Sequence, residues 1–262
     1  YCFSLGGIVN WFDGKVIYIT GGSAGIGRAI AEQCLKQGAS VIITGRNKET
    51  LQKTHAELLE VSEKVLAHEA DVSNNDQVTA SVDAVLEKFG RIDGLVNNAP
   101  SIHTGLLKDL SYDAWRTNFK ANLDGVFLIC QKIIPQMHEN GTGSVVNISS
   151  VVGLKGTQYM GAYGAAKAGL INLTQTMAIE NAPNVRVNCV VPGAVMTPAT
   201  ERAIPTDDMM KHTANTIPLK RIAEPHEIAS PVLFLLSNQS SFITGQTLVV
   251  DGGKTADLNA GN

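Results

Sequence analysis

The chain has 262 residues, 44% hydrophobic and 17% charged, which supports a buried core and excludes a disordered chain. A formal net charge of −3 provides no basic surface for nucleic acid or an anionic membrane. No apolar run approaches the ~18 residues of a membrane span.

In chain order, residues 1–13 read as an N-terminal extension. Its first nine residues are apolar but have neither a basic lead nor a cleavage site, so they make a poor signal peptide. Residues 15–20 (KVIYIT) read as a buried strand and 25–37 as a helix. Residues 40–44 (SVIIT) form a second strand and 48–60 a helix; 65–69 form a strand and 74–89 a helix with Val78, Val82, Val85 and Phe89 on its apolar face. Residues 92–97 are a fourth strand and 111–137 one long helix. Residues 144–149 are a fifth strand, 161–181 a helix and 185–191 a sixth strand. Residues 225–236 are helical and 247–251 a last strand.

Strands alternating with helices imply parallel strands joined by right-handed crossovers, with the sheet covered on both faces. The expected fold is α/β: residues 14–262 as a single doubly wound Rossmann domain of about seven parallel strands. Residues 194–221 fall outside the alternation, and an irregular stretch of that length reads as a substrate lid.

The four cysteines, Cys2, Cys34, Cys130 and Cys189, are far apart and form no Cys-x-x-Cys pair. Free thiols in a reducing, cytoplasmic setting fit better than a disulfide framework. His226-Glu227 begins like a zinc-protease motif, but Ser230 stands where a second histidine is required, so no metal site is read.

Two stretches carry chemistry. Residues 20–27 (TGGSAGIG) join the first strand to the first helix, where glycines permit a tight turn and let backbone N–H groups approach a diphosphate at the positive helix end. Ser150 follows the fifth strand, and Tyr163 and Lys167 lie one turn apart on one helix face. A lysine ammonium favours the phenolate, so the pair is expected to lower the tyrosine pKa and act as a tuned acid/base. Ser150 is placed to donate a hydrogen bond to a substrate oxygen.

Together, Thr20 to Gly27, Asn97-Asn98-Ala99, Asn122, Ser150, Tyr163-x-x-x-Lys167 and Pro192-Gly193 resemble the short-chain dehydrogenase/reductase family in order and spacing, from about residue 15 to 253. The resemblance implies hydride transfer between a nicotinamide dinucleotide and a small-molecule carbonyl/alcohol pair. It implies Tyr163 as proton donor in reduction, Lys167 on the nicotinamide ribose, Ser150 on the substrate oxygen and Asn122 positioning a water that links Lys167 to solvent. Gly21, Ser23, Ala24, Gly25, Ile26 and Gly27 would cradle the diphosphate. Asp71 and Val72 would lie near the adenine, and Asn97 and Ala99 near the adenosine ribose. Pro192, Gly193 and Val195 would wall the nicotinamide, with Thr197 at its amide. Plain structural roles stand beside these: Asn122 as a helix-bending polar residue, Asp71 as a turn residue, Thr197 as the N-cap before Pro198. Pro100 departs from the family's glycine and alters the expected shape of the loop at 101–104.

Gly45 occupies the place of the acid in NAD-preferring members, and Arg46 follows it with forked donors suited to a 2′-phosphate. NADP(H) is therefore the expected preference, with NAD(H) second. Three activities are weighed: a carbonyl reductase or alcohol dehydrogenase; a 3-oxoacyl-(acyl-carrier-protein) reductase, docking its acidic carrier at Lys108, Arg116 and Lys120; and an idle cofactor-binding scaffold, against which the full set of catalytic residues argues. Similar proteins pair their two long helices and their last strand with partner copies, which implies a homotetramer.

Overall fold

The computed structural model describes residues 10–257; residues 1–9 of the expected extension lie outside the described residues. Strand β1 (Val16–Ile19) is buried along its length. Its period of two sends Ile17 and Ile19 to one face of the sheet and Val16 and Tyr18 to the other. The same alternation runs through β2 (Ser40–Gly45), β3 (Val65–Glu69), β4 (Gly94–Asn97), β5 (Gly143–Ile148) and β6 (Val185–Pro192). With β7 (Thr247–Val250) at one edge, these make a seven-stranded parallel sheet in the order β3-β2-β1-β4-β5-β6-β7.

Helices cover both faces. Apolar side chains of α1 (Gly25–Lys36), α2 (Lys48–Leu59) and α9 (Pro225–Leu236) fill one core with Ile17, Ile19, Ile43, Val146 and Val190. Phe12, from the expected extension, is buried in that core. Those of α3 (Asn75–Phe89), α5 (Gly125–Glu139) and α6 (Gly161–Asn181) fill the other with Val16, Tyr18, Leu95 and Val145. Local chemistry sets several helix starts: Asn47, Asn74 and Ser111 each accept a first-turn backbone N–H on their side-chain oxygen.

From β1 the chain winds outward to β3, then crosses back to lay β4 on β1's other side. The connections leaving β1 and β4 therefore part at the carboxyl edge and open a crevice there. The glycine-rich turn and the loop after Asn97 both sit at that switch point.

Two stretches differ from the sequence reading. The long helix 111–137 is three pieces: α4 (Tyr112–Phe119), a π-helical turn (Lys120–Asp124) and α5. The π turn contains Asn122, whose buried amide donates to the Asn118 carbonyl at 2.8 Å and the Ser101 carbonyl at 2.6 Å. Such turns interrupt a helix where a side chain inserts into its hydrogen-bond ladder. Stretch 194–221 is not irregular throughout, since it contains α7 (Pro198–Ala203) and α8 (Asp207–Asn215), begun by the side chains of Thr197 and Thr206.

Candidate active site

The glycine-rich turn is held against the β4 loop from both sides. The Thr20 hydroxyl oxygen accepts from the Asn98 and Ala99 backbone N–H groups at 2.9 and 3.2 Å. The Asn98 amide donates to the Gly21 carbonyl at 3.0 Å. A Cβ on Gly27 would lie 2.3 Å from the Gly21 oxygen and 2.5 Å from that amide, so only glycine lets the helix approach. Gly25 has φ +52°, the left-handed region, and a Cβ there would meet Thr197 at 3.0 Å. Ala24, the N-cap of α1, offers no side-chain cap, so the first N–H groups of α1, at Gly25 and Ile26, are left to an outside acceptor. A bare, uncapped helix start behind glycines that leave no room for side chains fits a dinucleotide diphosphate. Ser23 lies in the same turn, its carbonyl held by the Thr54 hydroxyl at 2.7 Å.

Ser150 leaves the end of β5, and Tyr163 and Lys167 project from the first turns of α6. The Ser150 hydroxyl lies close enough to Tyr163 to favour its phenolate, against the larger effect of burial. The Lys167 Nζ donates to the Ile148 carbonyl at 2.8 Å and lies 5.6 Å from the centre of the Tyr163 ring. The Lys167 carbonyl accepts from the Ser149 hydroxyl at 2.9 Å. Serine, tyrosine and lysine thus meet at the carboxyl end of β5, and Lys167 shares a small cavity with Thr20, Val72, Asn97 and Ala99 of the glycine-turn side.

The electrostatic balance differs from the expected one. Burial is the largest influence on Tyr163 and pushes its phenol up to about 12, with the Ser150 hydroxyl opposing. Burial also brings the Lys167 ammonium down to about 8, partly offset by Cys189. The lysine therefore does not make this tyrosine acidic on its own. Both groups hold a proton at neutral pH, so the arrangement is poised to give a proton.

The other sequence candidates fall in three groups. Pro192 ends β6 and Gly193 packs against Asp251, where a Cβ would meet backbone at 2.9 Å. Val195 is buried, and Thr197 both caps α7 and touches the glycine turn. These sit at the crevice. Arg46 is more than half exposed at the end of β2 and reaches Asp71 at 4.0 Å. Asp71 is also a turn residue, its carboxylate accepting from the Ser73 N–H and hydroxyl at 2.9 and 2.8 Å. Asn97, expected near a ribose, turns its side-chain nitrogen inward to Asn147 at 2.8 Å and Cys130 at 3.4 Å. The buried Oδ1 atoms of Asn97 and Asn122 have no hydrogen-bond partner among the described residues. Sequence reasoning passed over Thr20 and Asn98 as tethers of the turn. It also passed over Ser149, whose place beside Ser150 was the available signal.

A family model described as enoyl-(acyl carrier protein) reductase matches residues 21–255. The 3-oxoacyl-(acyl-carrier-protein) reductase of Thermotoga maritima is 41% identical over 92% of this chain and 98% of its own. The chain belongs to the short-chain dehydrogenase/reductase family. Another member, cyclopentanol dehydrogenase of Comamonas testosteroni, is 35% identical over 93% of this chain and 98% of its own. The crystal structure of levodione reductase superposes with a TM-score of 0.89 at 37% identity, covering 94% of this chain and 99% of that one. As a short-chain dehydrogenase/reductase, the chain is an oxidoreductase of CH–OH and carbonyl groups that uses a nicotinamide dinucleotide. Among the described residues, no helix is long and apolar enough to cross a membrane.

Proposed function

We propose that the chain is an NADP(H)-preferring reductase of an apolar ketone, also competent for the reverse oxidation of the secondary alcohol, with Tyr163 as acid/base. The supporting observation is the meeting of Ser150, Tyr163 and Lys167 beside the glycine-rich turn. When bound, the nicotinamide dinucleotide supplies the hydride in reduction and accepts it in oxidation. Tyr163 gives its hydroxyl proton to the substrate oxygen as negative charge develops there, and burial ensures that the proton is present throughout the neutral range. The Ser150 hydroxyl orients the same oxygen by hydrogen bonding. Lys167, cationic at pH 7, would stabilise the phenolate left behind and would hold the nicotinamide ribose. Asn122 holds a water through its unpartnered Oδ1, connecting Lys167 to solvent.

Residues 194–221, with α7 and α8, act as the substrate lid. Exposed Ile102, Leu154, Tyr159 and Met209 favour an apolar substrate. A panel of cyclic ketones, steroids, sugars and acyl thioesters with NADPH tests the reading. A second reading, reduction of a 3-oxoacyl thioester on a carrier protein, is favoured by the Thermotoga relative. Turnover of the thioester alone would select it.

Residues Gly21, Ser23, Ala24, Gly25, Ile26 and Gly27 bind the diphosphate, Asp71, Val72, Asn97 and Ala99 the adenosine half, and Pro192, Gly193, Val195 and Thr197 the nicotinamide. Arg46, loosely paired and exposed, turns to the 2′-phosphate. Arg46→Ala should weaken NADPH by about 1.5–3 kcal/mol, the worth of a charged hydrogen bond, and leave NADH nearly unchanged. Equal loss for both cofactors in a fluorescence titration would contradict that role.

The chain assembles as a homotetramer in the cytoplasm. Two separate apolar surfaces support this. One is a groove of about 670 Å³ bordered by Leu123, Phe127, Leu128 and Leu173; the other is the β7 edge, with Leu248 and Val249 exposed and Phe242 fully so. Two distinct patches, each paired with its own copy, would close into a tetramer of two-fold symmetry. Light scattering at micromolar concentration should give four times the chain mass, and a monomer would contradict it. Cys34, Cys130 and Cys189 are free and buried, which supports a reducing compartment.

A further inference from the structure

The segment that follows β4 runs from the glycine-rich turn to the stretch that leads into α6. It starts against the glycine-rich turn, where Ala99 Cα lies 2.8 Å from the place of a Cβ on Gly21. It ends at Gly105, whose N–H donates at 2.9 Å to the carbonyl of Tyr159, four residues before Tyr163. Between those ends Ile102, His103 and Thr104 are exposed and make no regular structure. A substrate lying against Tyr163 and the nicotinamide site has this segment as one wall.

Exposed backbone of this kind needs an anchor to keep one shape. The anchor comes from the helix beneath. Asn118, in α4, is fully buried. Its Oδ1 accepts from the His103 N–H at 3.2 Å, and its amide nitrogen donates to the His103 carbonyl at 3.0 Å. A primary amide thus pairs with both backbone groups of one loop residue. The same nitrogen donates to the Ala114 carbonyl at 3.0 Å, which fixes the side chain's own direction. One turn later Asn122 fastens Ser101. Pro100, which has no N–H and a fixed φ, leads into this clamped stretch.

We propose that Asn118 is a positioning residue of the active site: by clamping His103 it sets the substrate-facing wall formed by residues 101–104. The inference rests on the proposed oxidoreductase site. The side chain of Asn118 makes its hydrogen bonds to His103 and Ala114, while its backbone carbonyl accepts from Asn122, so a side-chain substitution acts first on the loop at 101–104. Replacing it with leucine keeps the branched shape of asparagine, with bulkier methyl groups, but strands the His103 N–H and carbonyl without partners, a loss that loosens the loop.

The test uses the full chain and two variants, Asn118→Leu and Asn118→Asp. Hydrogen exchange by mass spectrometry reads the 101–105 amides directly. In Asn118→Leu they should exchange about tenfold faster or more, the consequence of a lost buried hydrogen-bond pair, with protection elsewhere retained. kcat/KM for the ketone should fall by about tenfold or more, mainly through KM, while the NADPH dissociation constant stays within about twofold. Asn118→Asp covers the case in which leucine prevents folding. Ionised, it accepts from the His103 N–H but repels the His103 and Ala114 carbonyls. Protonated, it restores the paired geometry, and burial favours that form. The ratio of variant to wild-type kcat/KM should therefore recover as pH falls from about 8 to about 6. Unchanged loop exchange, a flat pH ratio, or faster exchange with unaltered kcat/KM would each overturn the proposal. A wild type that reduces no carbonyl would remove the site reading and the substrate-wall role with it, and would be recognised because loop exchange would still respond to the substitution.

Discussion

Tyr163→Phe should lower turnover by ~10²–10⁴, the usual worth of a positioned acid/base, with fold and cofactor affinity retained. The ring packs in the same buried place, and the only group lost is the hydroxyl. Ser150 keeps a partner, since its oxygen accepts the Val152 N–H at 3.4 Å. The expected signature is an undiminished NADPH titration beside a nearly silent kinetic assay. Loss of cofactor binding together with activity would show that the tyrosine is structural. Full activity would assign the proton to another group.

Lys167→Met should separate stability from function. The ammonium is fully enclosed, and its pKa falls from 10.5 to about 8. Between those values the unfolded chain binds more protons than the folded one, so cofactor-free stability rises as pH climbs from about 8 to about 10.5. Below pH 8 the fold carries the whole cost of the buried charge, on the order of 3 kcal/mol. Methionine removes that cost and gives up the hydrogen bond to Ile148, worth about 1 kcal/mol. The cofactor-free variant should therefore be more stable at pH 7 by about 2 kcal/mol, and above pH ~10.5 it should be less stable by about 1 kcal/mol, the lost hydrogen bond alone. Its activity should fall by at least ~10², because the phenolate loses its counter-charge, and NADPH binding should weaken with the loss of the ribose contact. Denaturant titrations at pH 7 and 10.5 read the first effect. A variant less stable than wild type at pH 7 would show that the charge is compensated in the fold.

Features fixed by neighbouring residues were legible in the sequence. Alternation in KVIYIT gave β1 its two buried faces, and the helices read from 48 and 74 begin within a residue of those positions, each capped locally by Asn47 or Asn74. The spacing of Tyr163 and Lys167 placed both on one side of α6, and Ser150 met them because β5 ends beside that helix. Features that depend on distant partners were not legible. The π turn at Lys120–Asp124 interrupts a pattern that reads as continuous helix, and its inward-turned Asn122 is bound to Ser101, twenty-one positions away. Asn118 looks like an ordinary helix residue until His103 is laid over it. The inward turn of Asn97 depends on Asn147 of the adjacent strand. The direction of the Tyr163 shift also escaped the sequence, because spacing reveals a nearby lysine but not how completely both groups are removed from water.

The central claim is that this site moves a hydride between a nicotinamide and a carbonyl carbon while Tyr163 supplies the proton. Transfer from NADPH deuterated at the reactive nicotinamide carbon measures it most directly. With a ketone that the enzyme reduces, the wild type should place one deuterium on the carbinol carbon of the product alcohol, and Tyr163→Phe should form that labelled alcohol at a rate lower by ~10²–10⁴. Bound NADPH with no labelled alcohol from any carbonyl in the panel, or a labelled product formed equally fast without the tyrosine hydroxyl, would contradict it.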